Sequence, residues 1–203
     1  MRAMDVRLIE ARTHGRVAIR PGDPRRLLIG FHGYAQNAEE LLNELTPIPH
    51  TDSWTIAAVQ GLHRFYRSRS EIVVASWMTR EDREAAIGDN IDYVQRVVRS
   101  FGEHDRLVFA GFSQGAAMAY RAASTNRCHA VLILGGDLPP DVEASTLPPR
   151  VLIGRGVRDD WYSAEKLEID RARLPNADVV ELDAGHEWTD EFRATAGDFL
   201  LTV

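Results

Sequence analysis

Short, unbroken apolar runs recur along this chain, and the segments between them follow a different period. "RRLLIGF" (25–31), "WTIAAVQ" (54–60), "RLVFAGF" (106–112), "HAVLILGG" (129–136), "RVLIGRG" (150–156) and "ADVVELD" (177–183) are rich in Val, Ile and Leu. They do not alternate with polar residues, so they predict strands buried on both faces. "DVRLIEA" and "GRVAIRP" come before them and read as an edge hairpin.

Between the runs the spacing is helical. In "NAEELLNEL", Asn37 and Glu40 stand where an N-cap and its third helical residue form a capping box. Thr79 and Asp82 suggest a similar box at the head of "TREDREAAIGDNIDYVQRVVRSF", with aspartate in place of glutamate. Beyond it Ile87, Ile91, Val94, Val98 and Phe101 step by four, three, four and three, which marks one apolar stripe. "SQGAAMAYRAAS" predicts a helix of small residues able to lie close to a sheet, and Glu187 to Leu200 an amphipathic helix. Strands alternating with helices imply a three-layer α/β fold with a mostly parallel central sheet. The proline-rich "DLPPDVEASTLPPR" is short and flanked by strands, so it reads as a loop. With no linker or repeat, residues 1–203 are expected to form a single domain.

Composition narrows the function classes. A net charge of −6 with interspersed signs offers no basic face for nucleic acid or an anionic membrane. The single cysteine, Cys128, excludes an internal disulfide and reads as a structural thiol in a reducing compartment. "MRAMDVRLIEARTHGR" lacks the apolar core of a signal peptide. No apolar run approaches the roughly 18 residues of a membrane helix. The expectation is a cytoplasmic protein without stable membrane insertion. The seven histidines are scattered, with no HExxH pair, and no phosphate or dinucleotide loop is present, so neither metal nor cofactor is expected.

The candidate chemistry begins at "GFSQG" (111–115), between a strand-like run and a small-residue helix. A serine hydroxyl needs an adjacent base to become a nucleophile. A strand–GxSxG–helix turn lifts the serine oxygen above the carboxyl ends of the strands. The helix then aims free N–H groups at a developing oxyanion. Three such fixed positions arise by chance in roughly one chain in fifteen of this length, so the context matters more than the letters. In the α/β-hydrolase order, serine is followed by the acid and then the histidine. Only His129 and His186 lie downstream. His129 begins a predicted strand at the wrong end of the sheet, whereas His186 in "LDAGHEW" follows one. "IGRGVRDDWYS" offers Asp159 and Asp160 for the acid, and spacing alone does not separate them. Asp183 is a weaker choice, because close sequence neighbours rarely face each other. The backbone N–H groups of Tyr34, in "FHGYAQN", and Gln114 are assigned to the oxyanion hole, and His32 to holding that loop.

"FHGYAQN", "GFSQG", "LILGGDLPP", "GRGVRDDWY" and "AGHEW" together resemble the phospholipase/carboxylesterase family, which includes the acyl-protein thioesterases. They occur in family order from about residue 26 to the end. The resemblance implies an α/β-hydrolase fold, a Ser113–Asp159–His186 triad and cofactor-free hydrolysis of carboxylic esters or thioesters. It favours Asp159 over Asp160, because the family's acid lies three residues after a glycine, here Gly156. Departures are Arg155-Gly156 for a His-Gly pair, Gly135 for a usual serine and Ala35 for a frequent loop glycine.

"QGLHRFYRSRSEIVVASWMTRED" falls where the family places substrate-facing residues. Tyr66, Trp77 and Met78 are expected to line an acyl pocket, with Arg64, Arg67 and Arg69 as candidates for meeting an acidic substrate. No insertion is long enough for a large lid, so the substrate is expected to be a small or accessible ester or thioester. A homodimer is compatible with the sequence. The competing readings are a non-catalytic binding domain on the same fold, and a peptidase or acyltransferase on the same triad.

Overall fold

The structure, a computed structural model, describes residues 5–203. Along the chain run β1 (Arg16–Arg20), β2 (Asp23–Phe31), α1 (Ala38–Leu45), β3 (Trp54–Gln60), β4 (His63–Tyr66), β5 (Val73–Ser76) and α2 (Arg83–Ser100). They continue as β6 (Arg106–Phe112), α3 (Gln114–Thr125), β7 (Ala130–Leu134), β8 (Arg150–Gly156), α4 (Ala164–Arg173), β9 (Asp178–Leu182) and α5 (Asp190–Leu200). Seven strands form one sheet in the order β1-β3-β2-β6-β7-β8-β9. Every neighbouring pair is parallel except β1 with β3.

The continuous apolar runs conceal an alternation between two cores. Leu27, Ile29 and Phe31 of β2 join Leu107 and Phe109 of β6 on the face covered by α2, α3 and α4. Leu28 of β2 joins Val108, Ala110 and Phe112 of β6 under α1 and α5. Both faces are apolar because both are covered, so the polar half of the strand pattern vanishes. Phe109 is wholly buried, and truncating such a side chain to alanine costs about 3–5 kcal/mol.

The capping box of α1 forms as expected, with Asn37 accepting from Glu40 N–H and Glu40 accepting from Asn37 N–H. Three expectations need correction. The Thr79–Asp82 box does not form. Asp82 lies in the left-handed region (φ 47°) and caps nothing, and α2 begins one residue later; a side-chain cap requires an extended N-cap backbone. The last helix begins at Asp190 rather than Glu187, capped by Thr189, which accepts from Phe192 N–H at 3.1 Å. No N-terminal hairpin forms either. Residues 5–15 are exposed and outside any strand, and β1 pairs with β3 as the edge strand of the sheet. The first four residues of the N-terminal stretch lie outside the described residues.

The sequence pattern also missed the β4–β5 hairpin, whose outer strand is mostly exposed and polar. Among the described residues, no helix is long and apolar enough to cross a membrane.

The parallel order places six loops at one edge of the sheet, after β2, β3, β6, β7, β8 and β9. Ligands bind at this carboxyl edge in open α/β sheets.

Candidate active site

Ser113 is the single residue between the end of β6 and the start of α3. Its backbone has φ 55° and ψ −121°, a conformation that costs a non-glycine residue about 1–3 kcal/mol. The surroundings impose it. Ser113 N–H donates to Leu134 O at 2.9 Å, and Ala116 N–H donates to Ser113 O at 3.0 Å. The helix also passes tightly over the strand ends. A Cβ at Gly115 would sit 2.0 Å from Phe31 O, and one at Gly111 2.4 Å from Gly115 O. Both flanking glycines are therefore steric requirements of the turn.

The acid and the histidine come from neighbouring strands whose pairing continues past their ends. Val157 N–H donates to Leu182 O, and Arg158 N–H to Ala184 O. This brings the loops after β8 and β9 together. Asp159 is 3% exposed, and its Oδ1 accepts from the N–H groups of Trp161 (2.8 Å) and Tyr162 (2.9 Å). Its Oδ2 lies 2.7 Å from His186 Nδ1, and His186 Nε2 lies 2.7 Å from Ser113 Oγ. A carboxylate only accepts, so the network assigns the proton to Nδ1 and leaves Nε2 to accept from the serine hydroxyl. The imidazole rests on Phe112, with ring centroids 4.9 Å apart. Such a chain can take the proton from a serine oxygen as it attacks.

Asp160 is exposed, and Asp183 pairs at the surface with Arg158, so neither reaches the histidine. The departures from the resembled family also find roles. Gly135 has φ 64°, and a Cβ there would lie 3.1 Å from His186 Cε1 and 3.3 Å from Asp159 Oδ2. Arg155, 6% exposed, donates to Tyr162 O and pairs with Glu181 at 2.9 Å. It thereby fastens the loop that carries Asp159. Its signal was a cation inside an otherwise apolar strand run.

The loop after β2 faces the serine from the other side. Gly33 N–H donates to Gln36 Oε1, and Gln36 N–H returns to Gly33 O. The β5 strand braces this loop, because Ala35 N–H donates to Ala75 O and Ala75 N–H to Gln36 O. Among the described residues, the N–H groups of Tyr34 and Gln114 meet no protein acceptor. They remain free to receive a negatively charged oxygen. The Gln114 side chain has a separate task. Its Oε1 accepts from Trp77 N–H, and its Nε2 donates to Met78 O, both at 3.0 Å.

His32 is fully buried, and both ring nitrogens are occupied. Nδ1–H donates to Gly33 O, and Nε2 accepts from Gly61 N–H at 3.0 Å. Burial lowers its pKa, which keeps the ring neutral and in its loop-holding role.

No protein-family model and no curated protein matches the chain by sequence. Solved structures do match by shape. Esterase PE8 superposes with a TM-score of 0.76 at 19% identity, over 94% of this chain and 100% of that one. Acyl-protein thioesterase 2 of Zea mays gives 0.74 at 17%, over 93% and 99%. The Bacillus cereus carboxylesterase gives 0.70 at 19%, over 93% and 94%. The chain has the α/β-hydrolase fold.

In this α/β-hydrolase fold a pocket of about 440 Å³ opens beside Ser113. Its apolar lining comes from Met78, Ala117, Pro139, Pro140 and Trp161. Of the residues expected to line it, only Met78 does so. Trp77 is completely buried, its Nε1–H donating to His32 O and its ring packed edge-on to Phe31 at 5.5 Å. It supports the Tyr34 loop from beneath. Tyr66 and Arg64 lie on β4 outside the pocket: Tyr66 is 66% exposed, and Arg64 donates to His14 O. Arg67 is held by Glu40 and Ala35 O, and Arg69 is exposed in the turn of the hairpin. The sequence did not single out Trp161, two residues after the acid, although it is 75% exposed at the pocket. Among the described residues, no three His, Cys, Asp or Glu side chains converge to hold a metal ion.

Proposed function

We propose that this protein is a serine hydrolase that cleaves carboxylic esters or thioesters of small or accessible acyl groups. The observation that carries the reading is the unbroken chain Ser113–His186–Asp159, with both links at 2.7 Å, at a strained turn beside an open pocket. Ser113 Oγ attacks the acyl carbon while its proton passes to His186 Nε2. The oxyanion of the tetrahedral intermediate lies against the Tyr34 and Gln114 N–H groups. As the bond to the leaving oxygen or sulfur breaks, His186 gives that atom its proton, and the acyl group stays on Ser113. Water then attacks the acyl-enzyme with His186 as base. The carboxylic acid departs, and the serine recovers its proton. Asp159 holds the imidazole tautomer and stabilises its cationic form throughout.

The esterase and thioesterase names of the structural neighbours support this class. A panel of p-nitrophenyl esters and acyl thioesters of increasing chain length tests it. Short members are expected to turn over, and Ser113→Ala to lower kcat by roughly 10⁴-fold or more. Unchanged turnover in the variant rejects the assignment.

A further inference from the structure

The charged lining of the Ser113 pocket is at odds with the rest of the molecule. The whole chain carries −6, which repels an anionic ligand. At the pocket the balance reverses, because Arg80, Arg83 and Lys166 line it with a single acid, Asp137. The segment before and into α2 contains five consecutive charged residues, Arg80 to Glu84. Only its two arginines line the pocket, and the three acids do not. Neither guanidinium has a hydrogen bond or ion pair among the described residues, so both forks are open. Asp141, an acid further along the same loop as Asp137, is already held by Arg121 at 2.7 Å. On the opposite wall, Lys166 Nζ donates to Trp161 O at 2.8 Å and reaches Asp137 Oδ1 at 3.5 Å. An ammonium has three donors, so one stays available.

We propose that this pocket recognises an oxyanion, a carboxylate or phosphate, carried by the ester or thioester substrate. Arg80 and Arg83 grip it from the α2 side, and Lys166 closes from the α4 side. Guanidinium forks suit both groups, because each presents two oxygens to parallel N–H donors. A volume of about 440 Å³ holds only a small ligand, so the anion lies within a few bonds of the scissile carbonyl. The apolar Trp161 and Met78 then cover the intervening methylenes. The catalytic part of this inference rests on the serine-hydrolase reading, whereas the binding part does not.

Two measurements keep those parts apart. The first compares kcat/KM for the p-nitrophenyl monoester of adipic acid with that for the ester of its uncharged monoamide. The charged ester is expected to be preferred by roughly tenfold at low ionic strength. The preference should fall towards unity in Arg80→Gln/Arg83→Gln and in high salt. The second is calorimetric titration of adipate, butyl phosphate and neutral adipamide into wild type and the same variant. One of the two oxyanions should bind, adipamide should not, and the variant should lose at least tenfold in affinity. The stronger binder identifies carboxylate or phosphate as the group read. If both esters turn over equally and neither oxyanion binds, the proposal is overturned while the hydrolase reading stands. If oxyanions bind through the arginines but no ester is cleaved, the pocket assignment stands and the hydrolase reading falls.

Discussion

Two buried aspartates bridged by Tyr162 make similar bonds and lead to opposite ends. Asp159, 3% exposed, accepts two backbone N–H groups with one oxygen and turns the other to His186, which meets the half-exposed Ser113. Asp170, 1% exposed, accepts from Leu138 N–H and, at 2.8 Å, from the Tyr162 hydroxyl. There the second network stops, because Tyr162 is wholly buried. Tyr162 belongs to both, its N–H going to Asp159 and its hydroxyl to Asp170. Burial and satisfied bonding are thus common to a structural and a chemical carboxylate. The carboxylate proposed to act in chemistry is set apart by an imidazole and a serine hydroxyl reachable from the pocket at the far end. The structural network instead fixes the pocket wall, where Arg173 donates to Leu138 O, Pro139 O and Val142 O.

Breaking the first network should have the larger consequence. Asp159→Asn keeps the shape but lets the side chain donate toward Nδ1, which favours the wrong histidine tautomer. Steady-state kinetics on a reactive ester should show kcat lower by about 10⁴-fold, with the melting temperature changed far less. Loss of less than tenfold contradicts the role given to Asp159. Tyr162→Phe cuts the second network and keeps the N–H that serves Asp159. Chemical denaturation should show a loss of about 1–3 kcal/mol, because Asp170 is left short of a donor. In the same variant kcat should fall less than tenfold, and a larger drop would merge the two networks into one.

The smallest effect is a pH dependence. Burial raises the Asp170 pKa above its ordinary 3.8, against the Tyr162 and Leu138 hydrogen bonds that lower it. The folded state therefore holds this proton more firmly than the unfolded chain. The stabilisation is full below the unfolded value and is lost as pH rises through the elevated one. Asp170→Asn cannot ionise, so its melting temperature relative to wild type should improve between about pH 4 and about pH 7. A constant difference across that range would mean that the carboxyl is not shifted.

The strands were legible because a sheet covered on both faces writes itself as unbroken apolar runs. Three of them, 54–60, 106–112 and 150–156, have the same bounds in the structure. Ser113 and His186 were legible from their places after strands. Asp159 needed the family resemblance, because Asp160 sits in the same loop and only the fold turns one inward. The hairpin of β4 and β5 was hidden because half its residues face solvent and carry no core pattern. Trp77 was misread because an aromatic beside a site looks alike whether it lines the pocket or supports it. What decides is its bond to His32 O, 45 residues away in sequence. Arg80 and Arg83 were not singled out, because charges at the head of a helix-like run look alike in sequence whether they face solvent or a pocket; the fold brings both to the pocket.

The central claim is that Ser113 is an activated nucleophile, and a fluorophosphonate probe followed by intact and peptide mass spectrometry tests it most directly. Wild type should gain one adduct, located on Ser113, and His186→Ala should label far more slowly. A wild-type protein that stays unlabelled, or that carries the adduct on another residue, would contradict the account.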